Sequence, residues 1–526
     1  MPHLSDEESA LLDQAAVALL NDLPAWRLRA VERIELSSAL WSERKREIHV
    51  KPLVTSIIPD DATNDTQPMC ALRKVIDPRF WNPFKPARDS VSLILPITDM
   101  PAVPILDLHI TVNEQEVYRI PIDESARIQA KHIAHLANEA GLVVSDGLIQ
   151  LLTAIFYFPP SSYEESWKKY HHPSARTLGY WDQRDSVDVV KEYLHSSADD
   201  FAPEASPPFD IVHFYPKWHE ISRDIQKIVN EYTISEYLSG AEYPLAALPY
   251  FFRELWAQPA KWLPSGDEVT HLLTALQLLL RDAQASNDPA ARRLLATYCG
   301  YGMRWMAFAR CTIPLDKAFI MTVAHKRAVY FTKTRDASFP IRDNFRKTAY
   351  TMVAFADAET NHVSVRVADT AIRLHKPEAR DALGRRFEGS KRTLDEEVRT
   401  FELYFRQDST RRRAERIWIK LPLRLTRLHS GMLWLTMAIT AFGIVLLSVR
   451  GVVDDDLTPK DATVILVPVA FAAAFLLARD ASTLSMRVRQ VRQAILLAEL
   501  FVLLTMAFFL LLIHYITDPA TPMPMR

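Results

Sequence analysis

The chain has 526 residues, with 62 Lys plus Arg against 64 Asp plus Glu, for a formal charge of −2. That balance excludes a whole-chain nucleic-acid coat. Only 12 residues are glycine, far below the typical ~7%, which weighs against folds that cradle phosphates on glycine loops.

Ser5-Asp6-Glu7-Glu8 is a capping box ahead of Leu11, Leu12, Ala15, Ala16, Leu19 and Leu20, and Pro24 breaks that helix. A second helical pattern covers 25–46, followed by a strand over 48–58 and a loop over 59–68. Residues 90–97, 105–112 and 116–122 read as strands, with Asn113-Glu114 as a hairpin turn. Asp123 caps a helix through Ala137 that ends at Gly141, and a further apolar helix covers 146–158.

From 161 to 312 the pattern is helical, with helices expected over 183–195, 217–238, 245–257, 267–286 and 289–311 and an exposed loop over 196–208. After residue 315 the period changes to two: Val363, Val365 and Val367, then Phe401, Leu403 and Phe405, then Ile417, Ile419 and Leu421. About seven strands there predict a small antiparallel sandwich. If Pro422 ends or edges the last strand, Trp418, Lys420 and Arg424 project on one side as an aromatic and basic face suited to anionic headgroups.

Three apolar runs close the chain, at 432–449, 462–478 and 494–516, none holding Arg, Lys or Asp. They predict three transmembrane helices. Arg411, Arg412, Arg413, Arg416, Lys420, Arg424 and Arg427 precede the first, and Arg479, Arg487, Arg489 and Arg492 separate the second and third. The opposite flanks hold only Arg450, Lys460 and Arg526. The asymmetry predicts a cytoplasmic N-terminal body and an external C-terminus at the inner (plasma) membrane. The first thirty residues lack a compact apolar core, so no secretory signal is read there. Ala470, Ala474 and Ala478 form a small-residue stripe suited to helix packing. Glu499 is an intramembrane carboxylate, either functional or reaching to Arg492 and headgroup water.

Catalytic and cofactor motifs are missing. Cys70, Cys299 and Cys311 have no paired spacing and read as buried thiols. His132 and His135 share a helix face with no third metal ligand implied, and are expected to be partly exposed. In Gly384 to Lys391 the serine and lysine stand in the wrong order for a phosphate loop, and Trp218-His219-Glu220 lacks the second histidine of a zinc protease. No metal, cofactor or catalytic residue is implied.

The stretch Phe355 to Val365, and Ser92 to Ile97 through Leu106-Asp107-Leu108, resemble segments of bacterial, chiefly actinobacterial, membrane proteins of uncharacterised activity. The resemblance implies a soluble N-terminal body ahead of C-terminal spans and carries no site.

The expected fold is α+β: a mixed α/β region over 1–158, a helical region over 159–312, a β-sandwich over 313–425 and three spans over 426–526. The expected function is a non-enzymatic, membrane-anchored cytoplasmic sensor or scaffold with a protein partner. Two alternatives stand beside it: an effector whose oligomerised spans open a pore or perturb the bilayer, and an unfamiliar enzyme at the membrane surface. A lipid bilayer is an implied partner, and self-association is left open.

Overall fold

In the computed structural model the described residues are 6–57, 66–77, 89–101, 105–157, 266–286, 288–329, 331, 347–355, 357–381, 386–387, 390–392, 397–406, 415–453 and 482–517, with 221, 224, 225, 227 and 228. The helices expected over 183–195 and 245–257, the loop over 196–208, most of 217–238 and the apolar run at 462–478 lie outside them.

Helix α1 (Asp6–Asn21) buries Leu12, Ala15, Ala16, Leu19 and Leu20, and the short α2 (Leu23–Trp26) carries Pro24 in its first turn, where no N–H is needed. The chain then departs from the helix expected over 25–46. Residues Arg27–Leu36 (β1) and Trp41–Val50 (β2) form an antiparallel hairpin. Period two is present, but charge masks it. In β2 the inward positions are Ser42, Arg44, Arg46, Ile48 and Val50, while Glu43, Lys45, Glu47 and His49 occupy the alternate ones. Hydropathy sees an unbroken polar run there, although the side chains alternate between faces.

The expected strand over 48–58 gives way to α3 (Leu53–Ile57) and is followed by α4 (Gln67–Ile76). Strands β3 (Ser90–Pro101) and β4 (Ile105–Val112) lie where strands are expected, the strand expected over 116–122 shrinks to β5 (Gln115–Glu116), and the turn between β4 and β5 places Asn113 and Glu114 at φ 49° and 67°. Both central residues in the left-handed region suit a two-residue hairpin. Helices α5 (Ile122–Glu139) and α6 (Asp146–Tyr157) also match, with Gly141 at φ 73° closing α5.

Helices α7 (Gly266–Ala285) and α8 (Pro289–Met303) pack with α5 and α6 around Leu151, Leu273, Leu276 and Leu294. The helix expected to run on to 311 stops at 303, and β6 (Arg304–Pro314) pairs with β3. Met306, Ala307, Phe308, Ala309, Cys311 and Ile313 are all buried. A strand covered on both faces shows no alternation, so its apolar run is indistinguishable from a buried helix.

Strands β7 (Phe319–Ala328), β8 (Thr348–Phe355), β9 (Thr360–Val367), β10 (Ile372–His375), β11 (Glu378–Asp381), β12 (Ser390–Arg392), β13 (Glu397–Val398), β14 (Thr400–Arg406) and β15 (Glu415–Leu425) complete two facing sheets. The larger runs β12-β14-β9-β1-β2-β7-β4-β5. In the smaller, β15 pairs with β8, β10 and β11, and β13 extends β10. Ile34, Val363, Val365, Phe401 and Leu403 of one meet Ala349, Val353, Ile417, Ile419 and Leu421 of the other. The sandwich is therefore not wholly antiparallel, because β1 lies parallel to β9 with Ile34 opposite Val365. It draws β1, β2, β4 and β5 from before residue 117. Pro422 stands within β15 opposite Thr348 and does not end it.

A chain of alternating buried charges fastens these strands together. Arg44 Nη1 reaches Glu32 Oε1 at 3.3 Å, Arg46 Nη1 reaches Glu32 Oε2 at 2.8 Å and Arg46 Nη2 reaches Asp357 Oδ1 at 2.5 Å. Arg27 Nη1 closes the line on Asp357 Oδ2 at 2.7 Å. Arg27 also donates to the carbonyls of Pro96 and Ile97, beside the break in register between Pro96 and Thr98 on β3. Burial pulls the Arg27 pKa down to about 10 against the opposing pull of Asp357, so the guanidinium stays charged at neutral pH. Arg46 is held above its usual value because Asp357 and Glu32 outweigh its burial.

Two helices among the described residues, rather than the three expected, are long and apolar enough to cross a membrane: α9 (Arg427–Val453) and α10 (Thr483–Thr517). Most of each apolar window faces outward, with Trp434, Phe442, Phe501 and Phe508 more than half exposed. A core helix of a soluble body would bury them.

Removing one partner of a buried ion pair leaves the other uncompensated, at a cost of about 3–5 kcal/mol. Asp357→Ala should therefore destabilise the purified full chain by that order, read as a lower denaturant midpoint. Arg33→Ala, at an exposed pair with Glu47, should change stability by less than ~0.5 kcal/mol.

Candidate functional site

The described residues hold no group of three or more His, Cys, Asp or Glu arranged to bind a metal. His132 is not partly exposed as expected but buried, with Nδ1 2.7 Å from the Tyr301 hydroxyl, and burial keeps its pKa well below the usual histidine value. His135 Nε2 lies 3.2 Å from Glu139 on the same helix. Cys299 and Cys311 are buried and Cys70 is half-buried. The feature that combines geometry with charge is the junction between the sandwich and the two apolar helices.

Both helices start there. Leu433 of α9 and Leu484 and Val488 of α10 belong to the same apolar core as Ile419, Leu421 and Leu423 of β15. β15 passes to α9 through Thr426 alone, whose N–H donates to the Ala371 carbonyl at 2.8 Å. A strand that continues so directly into a helix transmits its position with little slack.

The start of α10 is clamped. Ser482 accepts the Ser485 N–H at 3.1 Å as a helix cap. The hydroxyls of Ser482 and Ser485 both donate to Asp369 Oδ2, and the Ala371 N–H donates to Asp369 Oδ1 at 2.8 Å. A carboxylate at a helix N-terminus also meets the positive end of its dipole. Burial works against the charged Asp369, but the hydrogen bonds from Ser482, Ser485 and Ala371, with His429 nearby, outweigh it and hold the carboxyl below its usual range. On the opposite flank the Ala39 N–H, at the tip of the β1–β2 hairpin, donates to Thr483 Oγ1 at 3.0 Å.

Basic residues ring these feet. Arg487 lies 3.9 Å over the Phe331 ring, and Arg492 lies 5.5 Å over the Trp434 ring while donating to Ser430 Oγ at 2.7 Å. Trp418, Lys420 and Arg424 do share one face of β15, alternating with buried Ile417, Ile419, Leu421 and Leu423. Arg416 stands in β15 opposite Ala354, and Arg427 is the first residue of α9. Arg411, Arg412 and Arg413 lie outside the described residues, as do Ala470, Ala474 and Ala478. Glu499 stands in α10 between Leu496 and Leu500, which meet Met437 of α9, and not at Arg492.

Asp369 and Thr483 escaped the sequence reading. Ser482, immediately before an apolar helix, carried a readable capping signal. Asp369 carried none, since its partner stands 113 residues away.

Compared with family models, curated proteins and solved structures, the chain matches none.

Asp369→Ala should loosen the first turns of α10 by about 1–3 kcal/mol, the cost of leaving the Ser482 and Ser485 hydroxyls without their acceptor. Faster amide exchange over 483–490, without change over the β3–β6 ladder, is the measurement. Because the native carboxyl lies below its unfolded pKa, its contribution is whole above the usual value of 3.8 and disappears as pH falls through the native value. The variant should therefore lack that part of the acid transition of the wild-type protein.

Proposed function

We propose that this chain is a non-enzymatic, membrane-anchored sensor or interaction protein, with the body on the cytoplasmic side and the sandwich linking partner binding to a helical anchor. One observation carries the reading: a single apolar core contains the inner faces of the sandwich and the feet of both apolar helices. A body hung on a flexible tether would keep a core of its own.

The helix pair supports a three-span anchor. Contacts ascend together along both helices, from Ser430 with Arg492, through Met437 with Leu496 and Leu500, to Ser448 with Met506. The helices are parallel, so Val453 and Ser482 stand at opposite ends of the pair, about 40 Å apart for 27 residues of helix. In our reading the run at 462–478, with its Ala470, Ala474 and Ala478 repeat, provides the return crossing. Arg416, Trp418, Lys420, Arg424 and Arg427, with Arg411, Arg412 and Arg413, are assigned to the headgroup layer of the inner leaflet.

Glu499 favours a second reading, an oligomeric effector. Its Oε2 is buried in an apolar helix with no hydrogen-bond partner among the described residues, an expensive arrangement that a neighbouring copy could relieve. Ion flux through reconstituted vesicles, abolished by Glu499→Gln, would favour it over the sensor.

Protease added outside intact cells should spare the body, and added to inside-out vesicles should remove it, leaving an anchored fragment that resists carbonate extraction. A body digested from outside, or a chain released by carbonate, would end the proposal. Crosslinking of the full chain in its membrane, followed by mass spectrometry, should then recover a protein partner. Substrate turnover by the purified protein, lost on one point substitution, would replace the sensor with an enzyme.

A further inference from the structure

We propose that Arg373, Arg424 and Arg427 form a binding site for a phosphomonoester lipid headgroup at the foot of α9. The inference deepens the anchor reading and rests on it. Arg373 of β10 and Arg424 of β15 are direct partners in the antiparallel ladder, which sets their Cβ atoms about 5 Å apart on one face. Like charges placed directly opposite destabilise a sheet. Arg427 adds a third guanidinium three residues after Arg424, at the first position of α9, where the helix dipole is already positive. Arg424 and Arg427 are exposed and Arg373 half-buried, so an anion can reach all three. Burial, and after it the charges of Arg427 and Arg424, lower the Arg373 pKa.

The chemistry of the ligand follows from this clustering. Guanidinium forks match phosphate oxygens two by two. A phosphate monoester has a second ionisation near pH 6 and approaches two negative charges at pH 7, whereas the diester of an ordinary phospholipid carries one. Clustered arginines therefore discriminate by charge density as well as by total charge. Depth agrees with a lipid source. Trp434, 57% exposed, lies seven residues further along α9, about 10 Å deeper, where tryptophan marks the membrane interface. That places the three arginines at the level of headgroup phosphates.

The test uses the full-length protein in phosphatidylcholine nanodiscs, titrated with dansyl-labelled phosphatidate and, separately, dansyl-labelled phosphatidylglycerol at matched total charge. Tryptophan-to-dansyl energy transfer reads binding. Phosphatidate should bind about five- to tenfold tighter. Arg373→Gln and Arg424→Gln should each reduce that preference to within about twofold, and Arg366→Gln, exposed on β9, should leave it intact. Arg424 is exposed, so its variant keeps the test valid should Arg373→Gln fold poorly. Equal affinity for the two lipids, or a preference indifferent to both variants, would overturn the site while leaving the anchor standing. Competition by soluble glycerol 3-phosphate at the lipid's own concentration would overturn the lipid assignment in favour of a soluble ligand. Failure of the chain to enter nanodiscs would instead remove the anchor reading beneath it.

Discussion

The body depends on five charged side chains shut away from water. Arg44, Glu32, Arg46, Asp357 and Arg27 alternate in sign along one line. Each carboxylate is shared between two guanidiniums, so removing Glu32 or Asp357 takes the counter-charge from two buried arginines at once. It fixes geometry that apolar packing alone would leave free. Arg27 reaches the carbonyls at the β3 irregularity, Glu32 and Arg46 fix the hairpin, and Asp357 brings in the turn before β9.

That same line explains where the sequence could be read and where it could not. The valines of β9 and the isoleucines of β15 alternate with polar residues, so both strands were legible at their centres, although β9 begins at Thr360 and β15 runs on to Leu425. The hairpin at 27–50 was not, because its inward positions include Glu32, Arg44 and Arg46, and charge facing inward cancels the hydropathy period. Residues 304–314 failed for the opposite reason: burial on both faces left no polar alternate to mark a strand. α9 and α10 were plain from their length and apolarity. The clamp on α10 was not, because Asp369 and Ser482 meet only through the fold. Half of the basic site had the same origin: Arg424 and Arg427 stood out as flanking charge, while Arg373 becomes their neighbour only through strand pairing.

The sandwich and the helix feet share one apolar core. β15 lies at the centre of the smaller sheet and passes into α9 through Thr426, while α10 is held by Asp369 on one side and by the hairpin tip on the other. A displacement of the larger sheet would reach α10 through Ala39, and one of the smaller sheet would reach it through Asp369. In the proposed sensor this gives two inputs to one helix, each with its own hydrogen-bonded contact.

The parallel alignment of β1 with β9 has a consequence for biogenesis. Arg27 and Asp357 are 330 residues apart in the chain. At a synthesis rate of about 5–20 residues per second, the hairpin waits roughly 17–66 s on the ribosome before its neighbour emerges. During that interval its edge and its inward-facing arginines are uncovered. The nascent chain therefore carries an unfinished, cationic sheet until just before its first long apolar helix is made, so the body is completed only as that helix is about to appear.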